Sequence, residues 1–122
     1  MHKVTFVIPS AIPGKARASS DPKDYIPTKE EGWMLDIEPE PLIFYHDARG
    51  FWYVTDPVTG RRLNSNGYRT RRDAMKDAQR WSDKLHEFKT SEASRDTYRK
   101  LADLTETLAH ELELIERGRA AR

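Results

Sequence analysis

The sequence predicts an α+β fold: a small antiparallel sheet of three strands, or slightly more, backed by one helix and followed by a second, long C-terminal helix. Two observations lead to this expectation. Between residues 42 and 66, short β-prone runs alternate with turn residues. From residue 74 to residue 115, apolar residues return every three or four positions, which is the helical period.

The N-terminal part of the chain is rich in proline, with six of the seven prolines before residue 42. The stretch from Pro9 to Gly32 has neither helical nor strand period, so we expect a loop or a partly ordered arm there. Short strands are expected on either side of it, at Val4 to Ile8 and at Trp33 to Ile37. The chain then divides into a Pro-rich arm (1–41), a sheet-plus-helix module (42–89) and an acidic helix (90–122).

The module begins with an antiparallel meander of two or three strands. Its predicted strands are Leu42 to Tyr45, Phe51 to Thr55 and Arg61 to Ser65. The second turn of the meander has a physical basis in Asp56, Pro57 and Gly60. An Asp side chain can bond the following backbone, proline presets φ, and glycine accepts a positive φ.

A helix should begin at Arg71, because Thr70 is a good N-cap and Asp73 places a carboxylate in the first turn. One apolar stripe runs along it: Ala74, Ala78, Trp81, Leu85 and Phe88. We expect the stripe to cover the face of the sheet that carries Trp52, Val54 and Leu63. Since strand side chains alternate, the opposite, outer face then carries Tyr53, Thr55, Arg62, Asn64 and Asn66.

The second helix is expected from about Ser91 to Arg117, with Gly118 ending it. Its apolar residues follow a heptad seam: Tyr98, Leu101, Leu108, Leu112 and Ile115. This seam can pack within the chain, pair with a second copy to form a homodimer, or bind a foreign helix. Between residues 101 and 116 the helix has five acids and no Lys or Arg.

Charge is segregated along the chain, although the formal net charge is only +1. Residues 49 to 72 contain six arginines against one aspartate, which indicates an anionic partner. The absence of cysteine excludes disulfides and thiolate metal sites, and the four histidines are scattered. Without a phosphate loop or nucleophile motif, we expect no enzyme activity, no cofactor and no metal.

No apolar run approaches the roughly 20 residues that span a bilayer, so we expect a protein without membrane contact. The lack of cysteine favours a reducing compartment, the cytoplasm of a bacterial or phage-infected cell.

An ordered series of residues resembles the Arm-type DNA-binding domain at the N-terminus of phage and transposon tyrosine recombinases, the integrases. The series covers about residues 43 to 85 and consists of Gly50-Phe51-Trp52-Tyr53-Val54, Asp56-Pro57-Val58-Thr59-Gly60-Arg61-Arg62, Gly67-Tyr68-Arg69-Thr70 and Asp73-Ala74. The resemblance implies a three-stranded sheet, backed by a helix, whose outer face enters the DNA major groove. The recombinase catalytic domains have no counterpart in 122 residues, so recombination is not implied.

Double-stranded DNA is therefore one expected partner. The residues expected to contact it are Tyr53, Thr55, Arg61, Arg62, Asn64, Asn66, Arg69, Arg71 and Arg72. Arg and Asn can read base edges, and arginines at a helix start can hold phosphates. The alternative is a protein-interaction or inhibitory module, such as a phage protein that docks a host protein through the acidic C-terminal helix.

Overall fold

In a computed structural model that describes residues 1–14 and 19–120, the chain forms an antiparallel sheet and three α-helices. The four strands lie in sequence order: β1 (His2–Ala11), β2 (Tyr25–Leu35), β3 (Leu42–His46) and β4 (Trp52–Thr55). The helices follow as α1 (Arg71–Lys76), α2 (Ala78–Thr90) and α3 (Arg95–Ala120). The expected α+β class is confirmed. The sheet contains two strands from the N-terminal part of the chain, β1 and β2, and two from the expected meander, β3 and β4.

The first two strands form a long ribbon where a loop was expected. β1 and β2 pair at every position from His2 opposite Met34 to Ala11 opposite Tyr25. The expectation of a loop from Pro9 to Gly32 is therefore wrong for Pro9 to Ala11 and for Tyr25 to Gly32, which lie in the strands. Residues 12–14 and 19–24 do lie outside the strands, with a short 3-10 helix at Pro22–Asp24, and residues 15–18 are outside the described residues. Pro9 lies opposite Pro27, so the two residues that lack an N–H share one position of the ladder.

The ribbon extends past the rest of the sheet and curls. β2 pairs with β3 only at its last three residues, starting at Trp33. Just before this point, a Cβ on Gly32 would lie 2.8 Å from the Ile43 side chain and 2.9 Å from the Phe44 carbonyl oxygen. Glycine therefore permits a close approach of backbone to backbone where the ribbon leaves the sheet.

The curl makes the helix-free face of the sheet concave. Phe6 of β1 meets Tyr45 of β3 edge to face, with ring centroids 5.3 Å apart. Together with Ile43 and Tyr53 they form a buried cluster. On the far side, the turn at Gly60 reaches β1 so closely that a Cβ there would overlap the Val7 carbonyl oxygen.

The opposite face packs against the helices as expected. Val54 and Leu85 are buried in one cluster with Ala74 and Ala78, and Trp52, Leu63 and Trp81 pack against it. At the margin of this face, the indoles of Trp33 and Trp52 lie 5.7 Å apart, tilted by 45°, and the His46 ring contacts both.

The expected third strand of the module, Arg61 to Ser65, is wrong. After β4 the chain makes only isolated bridges, Thr55 to Arg62 and Trp52 to Tyr68. Hydrogen bonds from the Asn64 side chain to β4 take the place of the backbone hydrogen bonds that this strand would have made. Its Oδ1 accepts from the Val54 N–H at 2.7 Å, and its Nδ2 donates to the carbonyls of Trp52 and Asn66.

The helix start at Arg71 is confirmed, with the Thr70 hydroxyl accepting from the Asp73 N–H at 3.1 Å. The helix breaks at Asp77, whose carboxylate accepts from the Tyr68 hydroxyl at 2.7 Å, so α1 and α2 are separate. The expected end of the last helix at Gly118 is wrong, because α3 continues through it to Ala120.

The first half of α3 packs within the chain. Tyr98 joins the helix-side cluster, whereas Leu104 and Leu108 pack on Tyr25 of the ribbon. Leu104 lies beside the expected seam, so the buried face is rotated slightly from it. Beyond Leu108 the helix leaves the core, and of the expected seam residues Leu112 is half-buried and Ile115 is 49 % exposed.

Candidate nucleic-acid interface

Three arginines stand exposed around the start of α1: Arg69, Arg71 and Arg72. Within the described part of the chain, none of them has a carboxylate within ion-pair distance or a hydrogen-bond partner for its guanidinium. Arg71 and Arg72 share an open concavity with Met75 and Lys76. This cluster, the arginine patch, is therefore a cationic surface that the fold itself leaves unneutralised.

Backbone geometry fixes where the patch lies. Thr70 has extended φ and ψ and caps the helix, so Arg71 and Arg72 occupy its first turn. Tyr68, two residues earlier, is anchored by backbone hydrogen bonds in both directions with Trp52, at 2.7 and 2.8 Å. The patch is thus attached on one side to β4 and on the other to the helix that covers the core.

Arg62 is held against two tyrosines on the concave side. Its guanidinium carbon lies 3.6 Å from the ring centroid of Tyr53, and its Nε donates to the Tyr45 hydroxyl at 2.6 Å. Burial raises the pKa of Tyr45 despite the lowering effect of Arg62, so the phenol stays neutral and can accept this bond. The side chain is nonetheless exposed, and among the described residues only its Nε has a hydrogen-bond partner.

Arg49 adds a cation that the expected site lacks. Its backbone N–H and that of Phe51 donate to Asp47 Oδ1, and its guanidinium lies 5.7 Å from the Phe51 ring centroid. Partial burial would raise the pKa of Asp47, but these hydrogen bonds outweigh that effect and lower it. The turn signal Asp47 to Gly50 is visible in the sequence; the stacking of Arg49 depends on the fold.

Arg61 points the other way. Its terminal nitrogen donates to the Tyr25 hydroxyl at 3.1 Å, and its guanidinium lies over that ring. It is half-buried between the turn after β4 and the ribbon. The structure thus directs Arg61 into a contact within the chain, away from Arg62.

Three residues expected on an exposed outer face are buried. Tyr53 and Thr55 do lie opposite the helices, but they are 5 % and 0 % exposed because the curled ribbon covers that face. Asn64 is 4 % exposed, and its amide hydrogen-bonds to the backbone of β4. Their expected exposure to DNA is therefore wrong, whereas Asn66 is exposed as expected.

The Asp56 to Gly60 turn, which carries the Asp-Pro-x-Thr-Gly part of the resemblance, is a structural element. The Asp56 carboxylate accepts from the Val58 and Thr59 N–H groups and from the Thr59 hydroxyl, and Gly60 has φ +67°. Burial, and then the charge of Asp56, raises the pKa of Tyr98 on α3. The Asp56 carboxylate and the Thr59 hydroxyl are thus used within the turn, and they shape it.

Comparison with models of protein families, with curated proteins and with solved structures gives no match. None of the helices that the structure describes is both long and apolar enough to cross a membrane.

Proposed function

We propose that the chain is a non-catalytic DNA-binding protein of phage or mobile-element type, working in the cytoplasm, that holds the duplex by its phosphates. The observation that carries the proposal is the arginine patch: three exposed arginines within four residues of sequence, none with a carboxylate within ion-pair distance in the described chain. Arginine in such a position is suited to phosphate oxygens. The resemblance of residues 43 to 85 to integrase Arm-type domains supports the same ligand.

The rim of the concave face extends the surface beyond the patch. Arg49 and Asn66 line one shallow concavity with Phe51 and Tyr53, and Arg62 lies on the Tyr53 ring. Only two residues, Gly67 and Tyr68, separate Asn66 from Arg69 along the chain. We therefore propose that this rim approaches the groove while the patch holds the backbone. The burial of Tyr53, Thr55 and Asn64 leaves phosphate contacts as the larger part of the interface.

The test is duplex binding measured over a range of salt concentrations. Each phosphate neutralised contributes a slope of about −0.9 in log K against log salt. Arg71→Ala and Arg72→Ala should each reduce the slope by about one unit and weaken all duplexes alike. Arg99→Ala, which removes an exposed arginine on α3, is the matched control and should change neither quantity.

Absence of binding to any duplex at low salt, or equal loss from Arg99→Ala and Arg71→Ala, contradicts the proposal. Arg62→Ala should reduce preference among duplex sequences more than it reduces affinity for random duplex, since Arg62 lies at the rim rather than in the patch.

A protein-interaction role is the second candidate, favoured by the free end of α3. Leu114 and Ile115 are 52 % and 49 % exposed there, among the acids Glu111, Glu113 and Glu116. A partner helix or a second copy could cover this end. The double variant Leu114→Lys/Ile115→Lys should then abolish association in sedimentation equilibrium or pull-down, whereas Thr107→Lys on the same helix should not. A monomeric chain that captures no protein and binds duplex removes this candidate.

A further inference from the structure

A cleft opens at the mouth of the concave face, between the ribbon and the end of β3. It encloses about 490 Å³, within the range of roughly 300 to 1,000 Å³ usual for small-ligand sites. One wall carries Tyr45 and Arg62, the other carries Thr28 and Glu30, and Ile8 of β1, which pairs with Thr28, also lines the cleft. Thr28, Glu30 and Tyr45 stand on strands of the sheet. Arg62 lies outside the strands and is positioned by its contacts with Tyr45 and Tyr53.

The first wall presents a fixed guanidinium. The Arg62 guanidinium lies over the Tyr53 ring, and the Arg62 Nε donates to the Tyr45 hydroxyl. These two contacts leave the Arg62 side chain little rotational freedom. Its two terminal nitrogens have no hydrogen-bond partner among the described residues. Such a fork donates two parallel hydrogen bonds to a pair of neighbouring acceptors.

The second wall presents a carboxylate. Glu30 lies opposite Phe6 in the ladder, so its side chain is on the concave side with Tyr45. Among the described residues no cation lies within ion-pair distance of it, in contrast to its neighbour Glu31, which pairs with Lys3 at 3.0 Å on the other side of the ribbon. The Glu30 charge is near enough to Tyr45 to help raise the pKa of that phenol.

The two walls are complementary to a molecule that has two acceptors on one edge and donors on the next. Guanine has this arrangement, with O6 and N7 as acceptors and N1–H and N2–H as donors. Adenine offers a donor beside N7, which the guanidinium cannot satisfy. A lone phosphate would meet the Glu30 charge in the same cleft.

We propose that this cleft is a subsite for an unpaired guanine base, with O6 and N7 on the Arg62 fork and the N1–H and N2–H edge toward the Glu30 carboxylate. The base is unpaired because Watson–Crick pairing would occupy the edge that faces Glu30. The proposal shares with the proposed function the premise that the ligand is a nucleic acid and the use of Arg62; the arginine patch takes no part in it.

The experiment is titration of the full chain with one of three ligands: guanosine 5′-monophosphate, adenosine 5′-monophosphate or inorganic phosphate. Binding is measured by calorimetry and by the NMR signals of the Tyr45 and Arg62 side chains. The affinity for guanosine monophosphate should be higher than that for adenosine monophosphate by about 10-fold or more. Arg62→Lys keeps the charge but loses the fork, and Glu30→Gln keeps the size but loses the charge. Both should remove the preference for guanine.

Glu31→Gln and Arg99→Ala are the matched controls and should retain the preference, with folding of every variant checked by thermal melting. Equal affinity for both nucleotides and phosphate, absence of saturable nucleotide binding, or a preference that survives both cleft variants overturns the inference. Salt-dependent duplex binding by the same proteins separates the two proposals. Duplex binding without guanine preference removes the guanine subsite alone, and guanine preference without duplex binding removes the proposed function alone.

Discussion

At the scale of the residue, Asn64 takes the place of a strand. Its amide supplies hydrogen bonds that a fifth strand would supply to β4, and it is 4 % exposed. Asn64→Ala leaves the buried Val54 N–H without a partner. We expect it to lower the free energy of unfolding by about 2 to 4 kcal/mol, as for loss of a buried, multiply bonded polar group. Urea denaturation monitored by Trp fluorescence measures this.

Asn66→Ala is the matched control, because the Asn66 side chain is exposed and only its backbone carbonyl bonds to Asn64. It should change stability by no more than about 0.5 kcal/mol. Equal destabilisation by the two variants would show that the Asn64 amide contributes nothing particular to β4.

Gly60 closes the fold between the turn after β4 and the first strand. With φ +67° and the Val7 carbonyl oxygen where a Cβ would stand, Gly60→Ala combines backbone strain with a steric overlap. We expect a loss of about 3 kcal/mol or more in the free energy of unfolding. Gly118→Ala is the control: its Cβ meets nothing within 4 Å on α3, and it should stabilise by about 0.5 to 1 kcal/mol. A harmless Gly60→Ala would contradict the close contact with β1.

Strand alternation alone placed Tyr53 and Thr55 on the correct side of the sheet. It could not show that this side is buried, because the cover comes from a ribbon far away in sequence. Asn64 was misplaced for another reason: its segment is not a strand, so a period of two has no meaning there.

At the scale of the element, three side chains of α2 hydrogen-bond to Glu40 in the loop before β3. The Glu40 carboxylate accepts from Lys89 at 2.7 Å and from His86 at 3.1 Å, and the Ser82 hydroxyl bonds both backbone groups of Glu40. Burial would raise the pKa of Glu40, but the bonds from Lys89 and His86 outweigh it, and the pKa is lowered from its ordinary 4.5.

Because the pKa of Glu40 is lower in the folded state, its ionised carboxylate stabilises the fold at pH values above the unfolded-state pKa near 4.5. This stabilisation is lost as the pH falls through the pKa of the folded state. Glu40→Gln should therefore cost about 1 to 2 kcal/mol at pH 7, as expected for a charge-assisted hydrogen bond. The difference from the natural chain should shrink below pH 4.5. Urea titrations at several pH values measure it.

Asp103→Asn, an exposed change on α3 without a cation within ion-pair distance in the described chain, is the control. If the difference in free energy of unfolding between the natural chain and Glu40→Gln stays constant from pH 7 to pH 3, the contact between α2 and the loop before β3 does not depend on the Glu40 charge.

Elements with local signals were predictable, and those held by distant contacts were not. β3, β4 and the start of α1 follow from β-prone runs and from the Thr70 cap. Only the end of β2, from Trp33, was expected as a strand. The rest of β2 was not predicted because Pro27, the charged residues and Gly32 hide any alternation, and its length depends on pairing with β1. In the candidate site, the arginine patch followed from the sequence. Arg49 and the inward turn of Arg61 did not, since both depend on aromatic rings brought close by folding.

At the scale of the whole molecule, α3 binds parts of the chain that are far apart in sequence. The Thr105 hydroxyl donates to the Thr59 carbonyl at 2.8 Å, and Glu116 accepts from Lys29 of the ribbon at 2.6 Å. A chain that ends at Thr90 would expose Tyr25 and the cluster around Leu85. We expect it to lose its cooperative thermal transition, which calorimetry would show directly.

Point variants in the full chain confirm or refute this role of α3 without truncation. Leu108→Ala removes a side chain with 0 % exposure and should cost about 2 to 5 kcal/mol, whereas Leu114→Ala, at 52 % exposure, should cost little. A truncated chain with an unchanged transition, or equal losses from the two variants, would show that α3 is an appendage.

Trp33 and Trp52 stand on β2 and β4, strands that are separated by β3, yet their indoles lie 5.7 Å apart. Two chromophores so close and tilted by 45° couple their electronic transitions, and the coupling gives a circular dichroism couplet that neither indole produces alone. The third indole, Trp81, hydrogen-bonds to Tyr68 instead. The couplet is therefore an optical signature of three strands aligned at once, and its amplitude during refolding would time the assembly of the sheet.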